Sequence, residues 1–357
     1  MSSPPFSPTE LIQVGHYPTG RPNEPVSPIM NSPISARENL LAFLSDGDPL
    51  WMPHQVERLM FNPSILPDNI ARGFITESMP FDFREFGGKD MFGVEWEFDP
   101  AARGSMVRQG NPLVTDLSSW EEQVVFPNPD DWDWEGSAAA NRELLSGGLT
   151  IVSTIFTGLV ERLISFVDME NALVALVDED DQEAVHRLFN RLCEFYDDLF
   201  GRLKHWYHCD VVWFHDDWGS QRGPLFSPET GRKMVLPYLK RIVASAHRNG
   251  LYFELHSCGK IEPMVPLMIE AGVDMWAGQE INDKEVLANT YPHGIRFGID
   301  PRPLSPDADE DTVRSEIRRL LDTYPNRNVF VGLHRGLHPL EYQILYEESR
   351  KRYCQVI

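Results

Sequence analysis

The chain has 357 residues, 42% of them hydrophobic, enough for a large buried core. Its 54 acidic residues outnumber 32 Lys and Arg, for a formal net charge of −22. Such a surface disfavours nucleic acid and anionic membranes as partners, because phosphate binding needs basic patches.

Four cysteines, Cys193, Cys209, Cys258 and Cys354, are too few for a disulfide framework. They fit a reducing, cytoplasmic setting in which a thiol serves as core residue, nucleophile or metal ligand. Residues 1–36 are rich in Ser and Pro and read as an extended leader without the basic and apolar regions of a secretory signal. No apolar run approaches the length of a membrane span. A short helix is expected over about 36–45, followed by a compact apolar strand at Pro49-Leu50-Trp51-Met52-Pro53. The stretch from about 55 to 140 is rich in aromatics and Pro but poor in periodicity. It reads as long insertions and short strands packed on the main fold, since disordered segments are poor in aromatics.

From about residue 148 the pattern is regular. The run 149–155 predicts a strand, and helices follow near 158–166, 170–177 and 181–205. Val211-Val212-Trp213-Phe214 predicts the next strand. Ser227-Pro228 marks a helix start that runs to Asn249-Gly250. Strands are then expected over 251–255, 274–277, 295–299 and 329–333, each followed by a helix. Continuous apolar strands alternating with helices specify a parallel sheet covered on its faces. No Gly-x-Gly-x-x-Gly follows the first strand, so a single (β/α)8 barrel over 37–357, with an N-terminal extension and aromatic-rich insertions, is favoured over a doubly wound sheet.

Catalytic groups of such barrels sit at the C-terminal ends of the strands. Those ends carry His215-Asp216-Asp217, His256-Ser257-Cys258, Gln279-Glu280, Asp300 and His334-Arg335. Strand alternation turns Tyr252, Glu254, His256 and Cys258 to one side. His256 and Cys258 thus form a donor pair suited to zinc, or else a hydrogen-bonded core histidine beside a buried thiol. His334 is the first candidate for a third ligand and Glu254 the second. Asp216 and Asp217 are read as substrate anchor, general base or loop cap. Cys193, Cys209 and Cys354 are read as structural.

The segments Trp213-Phe214-His215-Asp216-Asp217-Trp218-Gly219-Ser220-Gln221, Pro224-Leu225-Phe226-Ser227-Pro228-Glu229 and Leu255-His256-Ser257-Cys258-Gly259-Lys260 resemble the uroporphyrinogen decarboxylase superfamily. More narrowly, they are similar to its corrinoid-dependent methyltransferase branch. The resemblance implies a zinc site in which His-x-Cys supplies two ligands and a later Gly-Cys-Gly cysteine the third. Here the corresponding segment is Gly332-Leu333-His334-Arg335-Gly336, without the cysteine.

The activity implied is methyl transfer between a small methylated compound, such as a methyl ether, and the cobalamin of a partner corrinoid protein. Asp217 and Glu280 would be catalytic, and Asp216, Gln221 and Asp300 would bind substrate. A homodimer is left open. Two alternatives remain: a metal-free decarboxylase, although the family's Arg-Gln-Ala-Gly-Arg-like motif is missing, and a non-catalytic binding protein of the same fold.

Overall fold

A computed structural model describes residues 4–18, 27–45, 47–100, 104–108, 110–332 and 338–354. Seven parallel strands form one sheet: β1 (Arg58–Met60), β2 (Thr150–Ile155), β3 (Val211–His215), β4 (Tyr252–Ser257), β5 (Met275–Gly278), β6 (Arg296–Ile299) and β7 (Val329–Val331). They pair in sequence order. Just before β1, His54 forms an isolated parallel bridge with Val331 of β7, and the Val331 N–H donates to the Pro53 carbonyl at 3.0 Å. Helices α2 (Leu159–Val167), α3 (Glu179–Tyr207), α4 (Leu236–Arg248), α5 (Val265–Ala271), α6 (Lys284–Thr290), α7 (Glu310–Thr323) and α8 (Glu341–Tyr353) cover its outside. The fold is that of a TIM-type α/β barrel.

The strand expected at Pro49–Pro53 is not one. Its backbone is engaged by side chains instead: Asn39 Oδ1 accepts from Leu50 N–H at 2.6 Å, and Ser349 Oγ accepts from Met52 N–H at 3.1 Å. A ladder cannot form where these donors are already spent. The edge strand is Arg58–Met60, only three residues long and therefore without a visible period. The aromatic-rich insertion carries a three-stranded antiparallel sheet, Gly88–Lys89, Glu95–Asp99 and Gly104–Val107. Among the first residues, Pro8–Leu11 form a 3-10 turn and Gln13–His16 pair with Pro28–Met30.

The barrel interior is layered. Helix α1 (Ala36–Leu44) starts at a Ser35–Glu38 capping box and plugs the N-terminal end. Its Leu40, Phe43 and Leu44 pack with Val152, Val211, Met275 and Phe330, one apolar residue from each of four strands. Above this layer Arg58 of β1 reaches across the lumen to Glu254 of β4, both almost fully buried. Burial raises the Glu254 carboxyl, and the Arg58 guanidinium opposes that rise. Removing one member would strand the other charge in a dry interior.

Glu254→Gln should therefore lower the unfolding free energy by about 3–5 kcal/mol in urea titrations. The folded variant should keep whatever metal the wild type carries. Loss of metal with unchanged stability would instead make Glu254 a ligand.

Candidate metal centre at the barrel mouth

Strands β3 and β4 pair in parallel with His256 directly opposite His215. Trp213 and His215 share a face by alternation, as do Glu254 and His256. The two imidazoles stack with centroids 4.8 Å apart, and the Trp213 ring lies beneath His256 at 5.0 Å. Two residues beyond each histidine the chain delivers Asp217 and Cys258. One ligand atom from each of His215, Asp217, His256 and Cys258 falls within 4.8 Å of all the others.

The turn after β4 fixes the thiol. Cys258 N–H donates to Asp217 Oδ1 at 2.7 Å, and Gly259 N–H to Gln279 Oε1 at 2.8 Å. Gly259 has φ +87°, and a Cβ there would lie 2.3 Å from the Gly219 carbonyl carbon. Only glycine allows this approach.

The donor set fits a tetrahedral cation of the zinc type. Bonds of about 2.0 Å to nitrogen and 2.3 Å to sulfur give tetrahedral edges of roughly 3.5 Å. Cys258 Sγ and His256 Nε2 are 3.6 Å apart, and His215 Nε2 and Asp217 Oδ1 are 3.9 Å apart. Both rings are oriented by their surroundings: His215 Nδ1 donates to Glu161 Oε2 at 2.9 Å, and the Ala277 backbone hydrogen bonds His256. Such outer contacts are what aim a histidine at a metal.

Electrostatics favours a cation here. Burial disfavours the His215 imidazolium, but the Glu161 and Asp217 carboxylates outweigh that, and its pKa is raised. Burial and then the His215 charge push His256 down to about 3, so its ring is neutral at physiological pH. Burial would raise Asp217, yet His215 and the Cys258 amide hold it below the usual carboxylate range. Burial, reinforced by Asp217, pushes the Cys258 thiol up to about 12. A divalent ion would reverse that last shift by binding the thiolate.

The other residues singled out in the sequence lie elsewhere. His334 lies outside the described residues. Glu254 is one layer below the cluster, bound to Arg58. Asp300, at the end of β6, accepts from Lys284 Nζ at 3.4 Å, and burial lowers the Lys284 ammonium. Gln221 is exposed at the turn joining Gly219–Ser220 to Gly223–Pro224, and Glu280 is exposed after β5.

Asp216 points away from the cluster into the helix layer, where it accepts from Glu161 N–H and Trp218 Nε1–H, both at 2.8 Å. It caps α2 and is 1% exposed, so substrate does not reach it. His215 is visible in the sequence as a strand end, with the parity of Trp213, but its place opposite His256 follows only from the strand register. Arg72 and Glu161, which support it, carried no such signal.

This barrel with a His/Cys/Asp mouth defines a class of α/β enzyme-type fold, and the comparisons narrow it. The uroporphyrinogen decarboxylase (URO-D) model matches residues 158–339, just over half of the 357-residue chain, and the chain belongs to that family. Among solved structures, a methyltransferase from Methanosarcina mazei matches with a TM-score of 0.59 at 15% identity, covering 90% of this chain and 99% of its own. A putative vitamin-B12 independent methionine synthase from Listeria monocytogenes matches with a TM-score of 0.40 at 14% identity, over 65% of this chain and 70% of its own. At these identities the first likeness establishes the fold, and the second adds nothing to it. No curated protein matches the sequence. Among the described residues no helix is long and apolar enough to cross a membrane.

The Asp216 carboxyl is raised by burial to about 7, above an unfolded value of about 3.9. The native state holds this proton more tightly. The resulting stability is complete below about pH 4 and is lost as the pH rises through about 7. Asp216→Ala should cost about 2–3 kcal/mol through the lost cap and an unpaired indole N–H. Urea unfolding across this range should show the gap between wild type and variant narrowing as the pH rises. A gap that widens would contradict the assignment.

Proposed function

We propose that the chain is a zinc-dependent methyltransferase of this family. It would move a methyl group between a small methylated substrate, such as a methyl ether, and the cobalt of a corrinoid protein. The observation that carries the reading is the convergence of His256, Cys258, His215 and Asp217 at the barrel mouth. These four would hold the ion, with His215 and Asp217 in the place that His334 or Glu254 were expected to fill.

A bound zinc ion would supply Lewis acidity to the heteroatom that carries or accepts the methyl group, once one of the four side chains yields its place to it. The protein supplies the rest. His256 offers a neutral ring with its lone pair available. Asp217 is positioned by the Cys258 amide. The Trp213 ring packs edge-on against His256 and helps hold its orientation. The Lys284–Asp300 pair, beyond the ends of β5 and β6, one and two strands on from β4, would hold the substrate or deliver a proton to its heteroatom. Gln221 and Glu280, exposed around the same mouth, would meet the substrate or the incoming partner.

The decarboxylase alternative requires arginines free to grip several carboxylates. Among the described residues, the arginines that reach into the barrel are already engaged: Arg58 by Glu254, Arg72 by Glu161, and Arg296 by the Phe43 carbonyl. That favours the metal reading.

Mass spectrometry of protein purified without an affinity metal should find about one zinc per chain. His256→Ala, Cys258→Ala and His215→Ala should each lose it. Methyl transfer from a methoxylated substrate to a corrinoid acceptor should disappear in the same variants. Wild type free of metal even after zinc is supplied would end the proposal. Retention in His215→Ala would move the third ligand elsewhere.

A further inference from the structure

The two histidines are oriented by different means. His256 is held by backbone, which no substitution removes. His215 is held by the side chain of Glu161, whose oxygens are divided: Oε2 accepts from His215 Nδ1 at 2.9 Å and Oε1 from Arg72 NH1 at 2.6 Å. The backbone of Glu161 is itself pinned, because its N–H donates to Asp216.

Arg72 is anchored on several sides. Its NH1 group also donates to the Phe156 carbonyl at 2.9 Å and to Thr157 Oγ1 at 3.3 Å, and its guanidinium lies 4.4 Å from the Trp96 ring. Trp96 in turn donates from Nε1 to Asp90, which is ion-paired with the fully buried Arg162. An unbroken run of contacts thus leads from the aromatic-rich insertion to His215. Nothing in it moves without breaking a buried ion pair or hydrogen bond.

We propose that Glu161 is the positioning residue of the metal centre, with Arg72 fixing Glu161 in turn, so that this insertion sets the affinity for the ion. This rests on the reading that the cluster holds zinc. By accepting from Nδ1–H, the Glu161 carboxylate keeps the proton on that nitrogen and leaves the Nε2 lone pair facing Asp217 and the cluster. Without it, the free-imidazole preference for the Nε2–H tautomer would put a proton where a ligand atom is needed. Arg72 pulls on the other oxygen, which stops the carboxylate from rotating away.

The test is zinc affinity, measured with Zn2+ alone in competition with a chromophoric chelator, on wild type, Glu161→Gln and Glu161→Ala. The 15N shifts of His215 are read in parallel on zinc-free protein at alkaline pH. Affinity should fall about 10- to 100-fold in Glu161→Ala, with the near-isosteric Glu161→Gln between it and wild type. His215 should be the Nδ1–H tautomer in wild type and shift toward Nε2–H in Glu161→Ala. Arg72→Gln, which keeps the carboxylate that accepts from His215 but frees its other oxygen, should weaken binding less than Glu161→Ala does.

A purely structural role for Glu161 would move neither tautomer nor affinity in the folded Glu161→Ala protein, and that outcome overturns the proposal. Wild-type affinity in Arg72→Gln would remove Arg72 from it. Failure of the wild type to bind zinc at all is a different result, one that overturns the metal reading itself.

Discussion

Everything at the barrel mouth depends on one register. Val211 pairs with Tyr252, and counting along the two parallel strands brings His215 opposite His256. A slip of one residue would turn every inward side chain of one strand to the helix layer. The imidazoles would part, and Asp217 and Cys258, each two residues beyond, would part with them. The register is held from below as well as by the ladder. Val152 and Val211 meet the plug helix in a dry layer, and the Arg58–Glu254 pair bridges two strands that are not neighbours.

That layering also separates stability from chemistry. The apolar plug and the buried ion pair fill the lower barrel, which leaves the polar donors together at the top. The donors are in turn placed by groups that do not themselves reach the cluster: Asp216 caps the helix bearing Glu161, Glu161 holds His215, and Gln279 and the Gly259 turn hold Cys258. The cluster is mixed in character, with one sulfur, two nitrogens and one carboxylate. A divalent ion would be formally neutral with one thiolate and one carboxylate, as it is with two thiolates, but a carboxylate oxygen donates less electron density than a thiolate sulfur, so the mixed set leaves the ion a stronger electron acceptor.

Much of this was legible in the sequence. From residue 149 onward the apolar runs and capping signals located the strands within a few residues, because buried parallel strands read as continuous hydrophobic segments. His256 and Cys258 stood out through position and spacing. What stayed hidden were features without local periodicity. The edge strand Arg58–Met60 is too short to show a pattern, while the more apolar Leu50–Met52 looked like a strand although its backbone is claimed by Asn39 and Ser349. Asp216 and Asp217 are adjacent and chemically alike, yet alternation sends one to cap a helix and the other into the cluster. Arg72 and Glu161 are 89 positions apart, and no single-sequence signal joins them.

The most direct test of the central claim is X-ray absorption at the zinc edge of the metal-loaded protein. One sulfur at about 2.3 Å together with three nitrogen or oxygen ligands at about 2.0–2.1 Å is the expected shell. It would correspond to Cys258 with His256, His215 and Asp217. A second sulfur, or none, would contradict the account.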